Sequence, residues 1–454
     1  MTAVMLDVVA QAAALADGTL TSVALTQQLL TRIERHNPRL NCYLHVDVQG
    51  ALAAARQSDA RRAEGCALGP LDGIGIAVKD NIDVAGMPTT AGMATRRGRL
   101  AQSDAFVVRQ LRAAGAVMLG KLNMHEAALG ATNQNPHFGD CHNPHRHGYT
   151  PGGSSGGSAC AVAAGLASAA LGSDTMGSVR IPASYCGVAA LKPSRGVVST
   201  GGSVACGYRL DTLGPMARSA RDLQVLQGVL AQFDPACAEA RRVVLSPLPA
   251  GPLRFLVPSD LAALGVAPDV AALFEAQLAL FEAQGHALLR VSFADYGFAA
   301  ARRAGLLVCE GDLLIEHGAD RLAQPQNFSP SLAAMLDFAA AKDLPSLARA
   351  HRVIDAAALR VHDWFSHADF VLLPSAPQRA FAFGGAVPAN QADLTSIANM
   401  SGVPAVSVPM RVVQGELPAG LQIIGPHGSD SALLVLACAY QQQAGHVFSA
   451  PPLA

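Results

Sequence analysis

Short apolar runs alternating with helix-periodic segments constrain this chain most. Ile74-Gly-Ile-Ala-Val78 and Val117-Met-Leu119 are strand-like and carry no charge, and residues 105–114 between them have helical spacing. Strands apolar throughout are covered on both faces, so the pattern predicts an α/β layer with a largely buried sheet. The alternation returns as LRFLV, DVAALFEAQLALFEAQ and ALLRVSF. Residues 368–373, 405–408 and 421–424 read as further strands, and a last helix starts near Ser429. Upstream, Leu25, Leu29, Leu30 and Ile33 mark a helix that Asn37-Pro38 should end, and a second helix covers residues 51–63. SACAVAAGLASAAL reads as one tightly packed helix of small residues, and 294–365 is helix-rich but less patterned. Without repeats or a low-complexity linker, residues 1–454 are expected to form one large domain, its sheet built from both ends of the chain.

Composition excludes several classes. Half of the 454 residues are hydrophobic and only 15% are charged, so disorder is disfavoured. The formal net charge of −1 argues against direct nucleic-acid binding or an anionic membrane as partner. No stretch of about 18 apolar residues predicts a membrane span. The start of the chain has no basic residue before its apolar stretch and makes a poor signal peptide. The nine cysteines are odd in number and form no CxxC pair, which suggests free thiols and a cytoplasmic protein. With 43 glycines and 27 prolines the chain should turn often.

Three features could carry chemistry. Gly152-Gly-Ser-Ser-Gly-Gly157 lacks the Lys-Ser/Thr of a P-loop and the Rossmann spacing. It contains G-x-S-x-G twice, but a nucleophile elbow should follow a strand, and His147-Gly-Tyr-Thr-Pro151 is loop. His137, Cys141, His142, His145 and His147 form a cluster that could hold zinc. It has no helix-borne pair at i and i+4 and no Glu or Asp to complete a catalytic site, so a polar surface or pocket-rim loop is the preferred reading. Lys79 directly follows a buried run. A lysine there is costly to bury charged and is either neutralised or paired, with Asp80 or Asp83 as the structural partners. A neutral lysine can serve as base for a serine, and backbone N–H groups around Gly177 could hold an oxyanion.

The segments GIGIAVKDNIDVAGMPTTAG, PGGSSGGSACAVAAGL and LGSDTMGSVRIPASYCGVAALKPSRG, in that order, resemble the amidase signature family. The resemblance spans nearly the whole chain and is strongest over 73–222 and 397–443. It implies a large mixed, mostly buried sheet with helices on both faces, a signature core at about 70–225 and a variable substrate-pocket region at about 294–365. It also implies a Ser-cis-Ser-Lys triad of Lys79, Ser154 and Ser178, acting without metal or other cofactor. Lys79 would take a proton from Ser154, Ser154 one from Ser178, and Ser178 would form an acyl-enzyme. The oxyanion hole would be the N–H groups of Thr175, Met176, Gly177 and Ser178. Many family members have glycine where Met176 stands, which puts the acyl pocket in question more than the chemistry. The function implied is hydrolysis of a small amide, and a homodimer is left open. The alternatives are the A subunit of a tRNA-dependent amidotransferase, supplying ammonia from glutamine, and a non-catalytic binding protein, which the intact triad disfavours.

Overall fold

The computed structural model describes residues 3–411, 415–445 and 448–453. Its centre is a single sheet of eleven strands. These are β1 (Tyr43–Val46), β2 (Gly75–Lys79), β3 (Val117–Leu122), β4 (Ala169–Asp174), β5 (Ala189–Lys192), β6 (Thr212–Ala217), β7 (Arg254–Pro258), β8 (Ala287–Val291), β9 (Phe370–Pro374), β10 (Ala405–Pro409) and β11 (Gly420–Ile424). The spatial order is β1-β3-β2-β4-β6-β5-β10-β11-β9-β7-β8. The pairs β2–β3, β2–β4, β7–β8 and β7–β9 are parallel and the others antiparallel, so the sheet is mixed.

Successive side chains on a strand point to opposite faces, and here they enter different cores. Phe370 and Leu372 of β9 join one apolar cluster with Phe274 and Leu278 of the helix Pro268–Ala283. Val371 and Leu373 join another with Val308 of the helix Phe298–Ala323 and Ile354 of the helix Leu344–His367. Helices therefore cover both faces, as the apolar runs require. Among the described residues no helix is long and apolar enough to cross a membrane. All nine cysteines are free thiols.

Three local expectations are corrected. The helix Ser22–Leu40 runs past Pro38, which sits in its last turn; Asn41 ends it in a left-handed conformation, its N–H returning to Asn37 O. The small-residue stretch is not one helix. The helix Gly156–Ala163 stops at Gly165, whose φ of +69° turns the chain while Leu166 N–H bonds back to Ala161 O; Ala169 then opens β4. Strands β1, β5 and β6 had no sequence counterpart. β6 contains Gly214-Pro215, which reads as a turn, yet it is central. It accommodates proline because its pairing with β5 covers only Met216 and Ala217.

Candidate active site

β2 and β4 run parallel, so Lys79 at the end of β2 lies beside the end of β4. Nζ of Lys79 donates to Ser154 Oγ at 2.7 Å and to Ser173 Oγ at 2.8 Å. The side chain is fully buried and has no ion pair among the described residues. The carboxylate of Asp80 instead lies 3.2 Å from Lys121 Nζ and accepts from Thr90 N–H, so the structural salt bridge considered for Lys79 is not formed. Burial pushes the Lys79 pKa down to about 7, against the pull of nearby Cys206, Asp211 and Asp174. Much of the group is then neutral near physiological pH.

Ser154 is presented by a loop that the chain clamps on several sides. The Gly153–Ser154 peptide is cis. Ser154 O accepts from His125 N–H at 3.2 Å, and Gly156 N–H donates to Asn133 Oδ1 at 3.0 Å. Burial and the adjacent Lys79 push His125 down to about 4. No strand leads into this loop, which removes the elbow reading of G-x-S-x-G.

The loop carrying Ser178 is organised by Asp174. Its Oδ1 accepts from Gly177 N–H at 2.7 Å and its Oδ2 from Val179 N–H at 3.1 Å. Arg180 caps the same carboxylate through Nε and Nη2, and also donates to Thr395 O, Gln422 Oε1 and Asn399 Oδ1. Burial alone would raise the Asp174 pKa, but Arg180 outweighs it and holds the group at about 2. Gly177 has φ +130°, and a Cβ there would meet Thr395 Oγ1 at 2.1 Å, so no larger residue fits. Thr175 Oγ1 donates to Asp211, and Thr395 Oγ1 donates to Met176 O.

This arrangement sorts the four candidate oxyanion donors. The Gly177 amide is engaged by Asp174, whereas those of Thr175, Met176 and Ser178 donate to no described residue. Ser178 and Ser154 share no direct hydrogen bond, but Ser155 N–H donates to Ser178 O at 3.2 Å and stitches the two loops together. Ser178 and Met176 line a cavity of about 140 Å³ with Ile181, Leu306, Cys206 and Cys309. Arg302 is the charged side chain in its wall, with Gln391 as a polar neighbour. Arg302, Leu306 and Cys309 come from the variable helix-rich region.

The His cluster is used locally. His137 Nε2 lies 2.7 Å from Glu126 Oε1, His145 Nε2 contacts Cys186 O, and His142 packs on His147. Cys141 is fully buried. No group of three or more ligating side chains occurs among the described residues. Sequence reasoning missed Ser173, Asp174 and Arg180. The signal available was an Asp and an Arg bracketing the Ser178 loop at a spacing of six.

Over 476 aligned residues the chain is 36% identical to the glutamyl-tRNA(Gln) amidotransferase A subunit from Chloroflexus aggregans, covering 96% of each. A solved structure described as an inhibitor-bound vestigial protein complex, revealing the origins of an s-triazine catabolic enzyme, superposes with a TM-score of 0.90. Its identity is 30%, with 97% of this chain and 99% of that one covered. 6-Aminohexanoate cyclic dimer hydrolase in complex with substrate gives a TM-score of 0.89 at 26% identity, with 99% of each chain covered. The amidase family model matches residues 24–434, the span that holds both serine loops, the buried lysine and the helices that brace them, and the chain belongs to the amidase family.

Proposed function

We propose that the chain hydrolyses a carbon–nitrogen amide bond through an acyl-enzyme on Ser178. The observation that carries this is Lys79 Nζ, buried, without a carboxylate partner among the described residues and 2.7 Å from Ser154 Oγ. Neutral Lys79 takes the Ser154 proton as Ser154 takes that of Ser178. The Ser178 oxygen bonds to the amide carbon, and the oxyanion meets the N–H groups of Thr175, Met176 and Ser178. The relay returns the proton to the nitrogen as the C–N bond breaks, and water then releases the acid. No step calls for a metal. The chain acts in this reading as one catalytic domain.

The cavity wall narrows the substrate class. It is largely apolar, and Arg302 reaches it with one nitrogen, Nη1, engaged by Asp393. The other two nitrogens are unengaged among the described residues, and suit a carboxylate or carbonyl on the substrate. We infer a small amide with a carboxylate or carbonyl oxygen for Arg302 to receive, and amides with a carboxylate are the form to test. Purified chain should release ammonia or amine from such amides faster than from neutral analogues, and Arg302→Met should abolish the preference. Equal turnover of both classes by wild type would remove the carboxylate from the reading.

A second reading is favoured by the 36% identity to an amidotransferase A subunit over 96% of both chains. There the same site would release ammonia from glutamine for a second protein. Glutaminase activity that appears only with a co-purifying partner would establish it.

A further inference from the structure

A second concave site lies apart from the Ser178 cavity and shares no lining residue with it. It encloses about 370 Å³ and is lined by Arg195, Arg209, Arg241, Glu239 and His427. Four separate segments supply them: the loop after β5, the approach to β6, the stretch before β7 and the turn after β11.

The segments are fixed to one another by hydrogen bonds onto backbone carbonyls. Arg241 N–H donates to Gly196 O at 2.9 Å, and His427 Nε2 lies 3.1 Å from Arg195 O. Arg195 N–H donates to Gly402 O at 2.9 Å, and a Cβ at Gly402 would stand 3.4 Å from the Arg195 guanidinium carbon. Arg195 Nη1 reaches Arg209 O, and Arg241 Nη1 reaches the carbonyls of Ala238 and Ala240. The guanidiniums of Arg195 and Arg241 are thus held on carbonyls rather than on acids. Arg209 pairs with Asp355, whereas Arg195 and Arg241 have no carboxylate within ion-pair distance among the described residues. Glu239, half-buried in the lining, makes no ion pair among these residues.

Three guanidiniums meeting in one hollow repel one another. Burial, and then Arg209, depress the Arg195 pKa. Such convergence is uncommon in a chain with 15% charged residues and a net charge of −1. Glu239 and Asp355 pull the Arg195 pKa the other way, which sets two carboxylates against three guanidiniums, and an incoming anion would supply the missing counter-charge. The planar guanidinium matches the oxygens of phosphate or carboxylate in bidentate fashion. The volume lies in the range of small-molecule sites, roughly 300–1,000 Å³.

We propose that this hollow binds a small polyanion, either a phosphate monoester or a di- or tricarboxylate, on Arg195, Arg209 and Arg241.

The test is titration calorimetry and thermal shift on the full chain with inorganic phosphate and with citrate, at ionic strength held constant with sodium chloride. At least one should bind saturably and raise Tm, and whichever does assigns the ligand to phosphates or to carboxylates. Arg241→Glu, an exposed change, should weaken binding about tenfold or more. Arg195→Met should do the same, provided its cooperative unfolding is retained; if it does not fold, Arg241→Glu decides. Labelling of Ser178 by a fluorophosphonate should proceed at the wild-type rate in Arg241→Glu, showing that the change is local. Absence of saturable binding by both anions overturns the proposal, as does unchanged affinity in Arg241→Glu. Binding confined to an RNA duplex, with neither small anion competing, also overturns it.

Discussion

Asp174 and Arg180 grip each other across the five residues that carry Ser178. Both Asp174 oxygens accept from the guanidinium, through Nε at 3.0 Å and Nη2 at 2.9 Å, and both side chains are fully buried. The same two oxygens hold Gly177 and Val179 N–H, so the pair closes the loop into a ring with Ser178 at its crest. Removing the arginine leaves a buried carboxylate without its main counter-charge. Arg180→Met should cost about 3–5 kcal/mol of stability. Arg180→Lys loses the fork that spans both oxygens and should lower kcat more than it raises KM. Differential scanning calorimetry beside steady-state kinetics checks both, and a near-wild-type Tm for Arg180→Met would show that the pair does not hold the loop.

Ser178→Ala should reduce turnover by roughly ten-thousandfold or more while leaving the Tm close to wild type. A fluorophosphonate should label Ser178, read by mass spectrometry. Label on Ser154 instead would reverse the two serine roles.

The pH profile should report Lys79. Its pKa in the folded protein lies below the ordinary value, at about 7, and the proposed relay needs the deprotonated form. Activity must therefore rise with pH through about 7 and level off above it, the opposite of a group that works as an acid. Lys192 also falls to about 7, through burial, but its Nζ donates to Pro193 O and it does not line the cavity. Lys192→Met should keep the inflection. Lys79→Arg keeps a charge that cannot be lost and should be inactive; substantial activity would mean that only positive charge is needed.

Met176 packs against the helix Phe298–Ala323 and also lines the Ser178 cavity. A Cβ on Gly305 would approach its sulfur to 2.8 Å. Met176→Gly should lower Tm and shift kcat/KM toward bulkier acyl groups, by about 1–3 kcal/mol in discrimination. An unchanged ranking of a short-chain and an aromatic amide, with Tm lowered, would assign the side chain to packing alone.

Lys79 was marked by the apolar run that it ends, whereas Ser154 and Ser178 were singled out through the motifs that resemble the amidase signature family. The braces of the Ser178 loop were not. Asn399 and Gln422 lie 219 and 242 residues from Arg180, and nothing local marks a polar residue as buried rather than wet. The Gly177 amide was expected among the oxyanion donors, and only the position of the Asp174 carboxylate shows that it is taken. Strand β6 escaped because Gly214-Pro215 has the chemistry of a turn, and sheet context overrode it. The apolar strands β2, β3 and β9 to β11 were readable because burial on both faces leaves no room for polar alternation.

The strand order sets a timetable for synthesis. β5 and β10 are neighbours, although Lys192 and its partner Ala405 are made 213 residues apart. A nascent chain that has already produced Lys79, Ser154 and Ser178 has an exposed edge at β5 and an Arg180 whose partners Thr395, Asn399 and Gln422 do not yet exist. Pairing across so long a separation is slow to form. Until β11 leaves the ribosome, Asp174 is in place beside Arg180 but the three late braces of that arginine are missing, so we expect unfinished chains to carry an incompletely braced Ser178 loop.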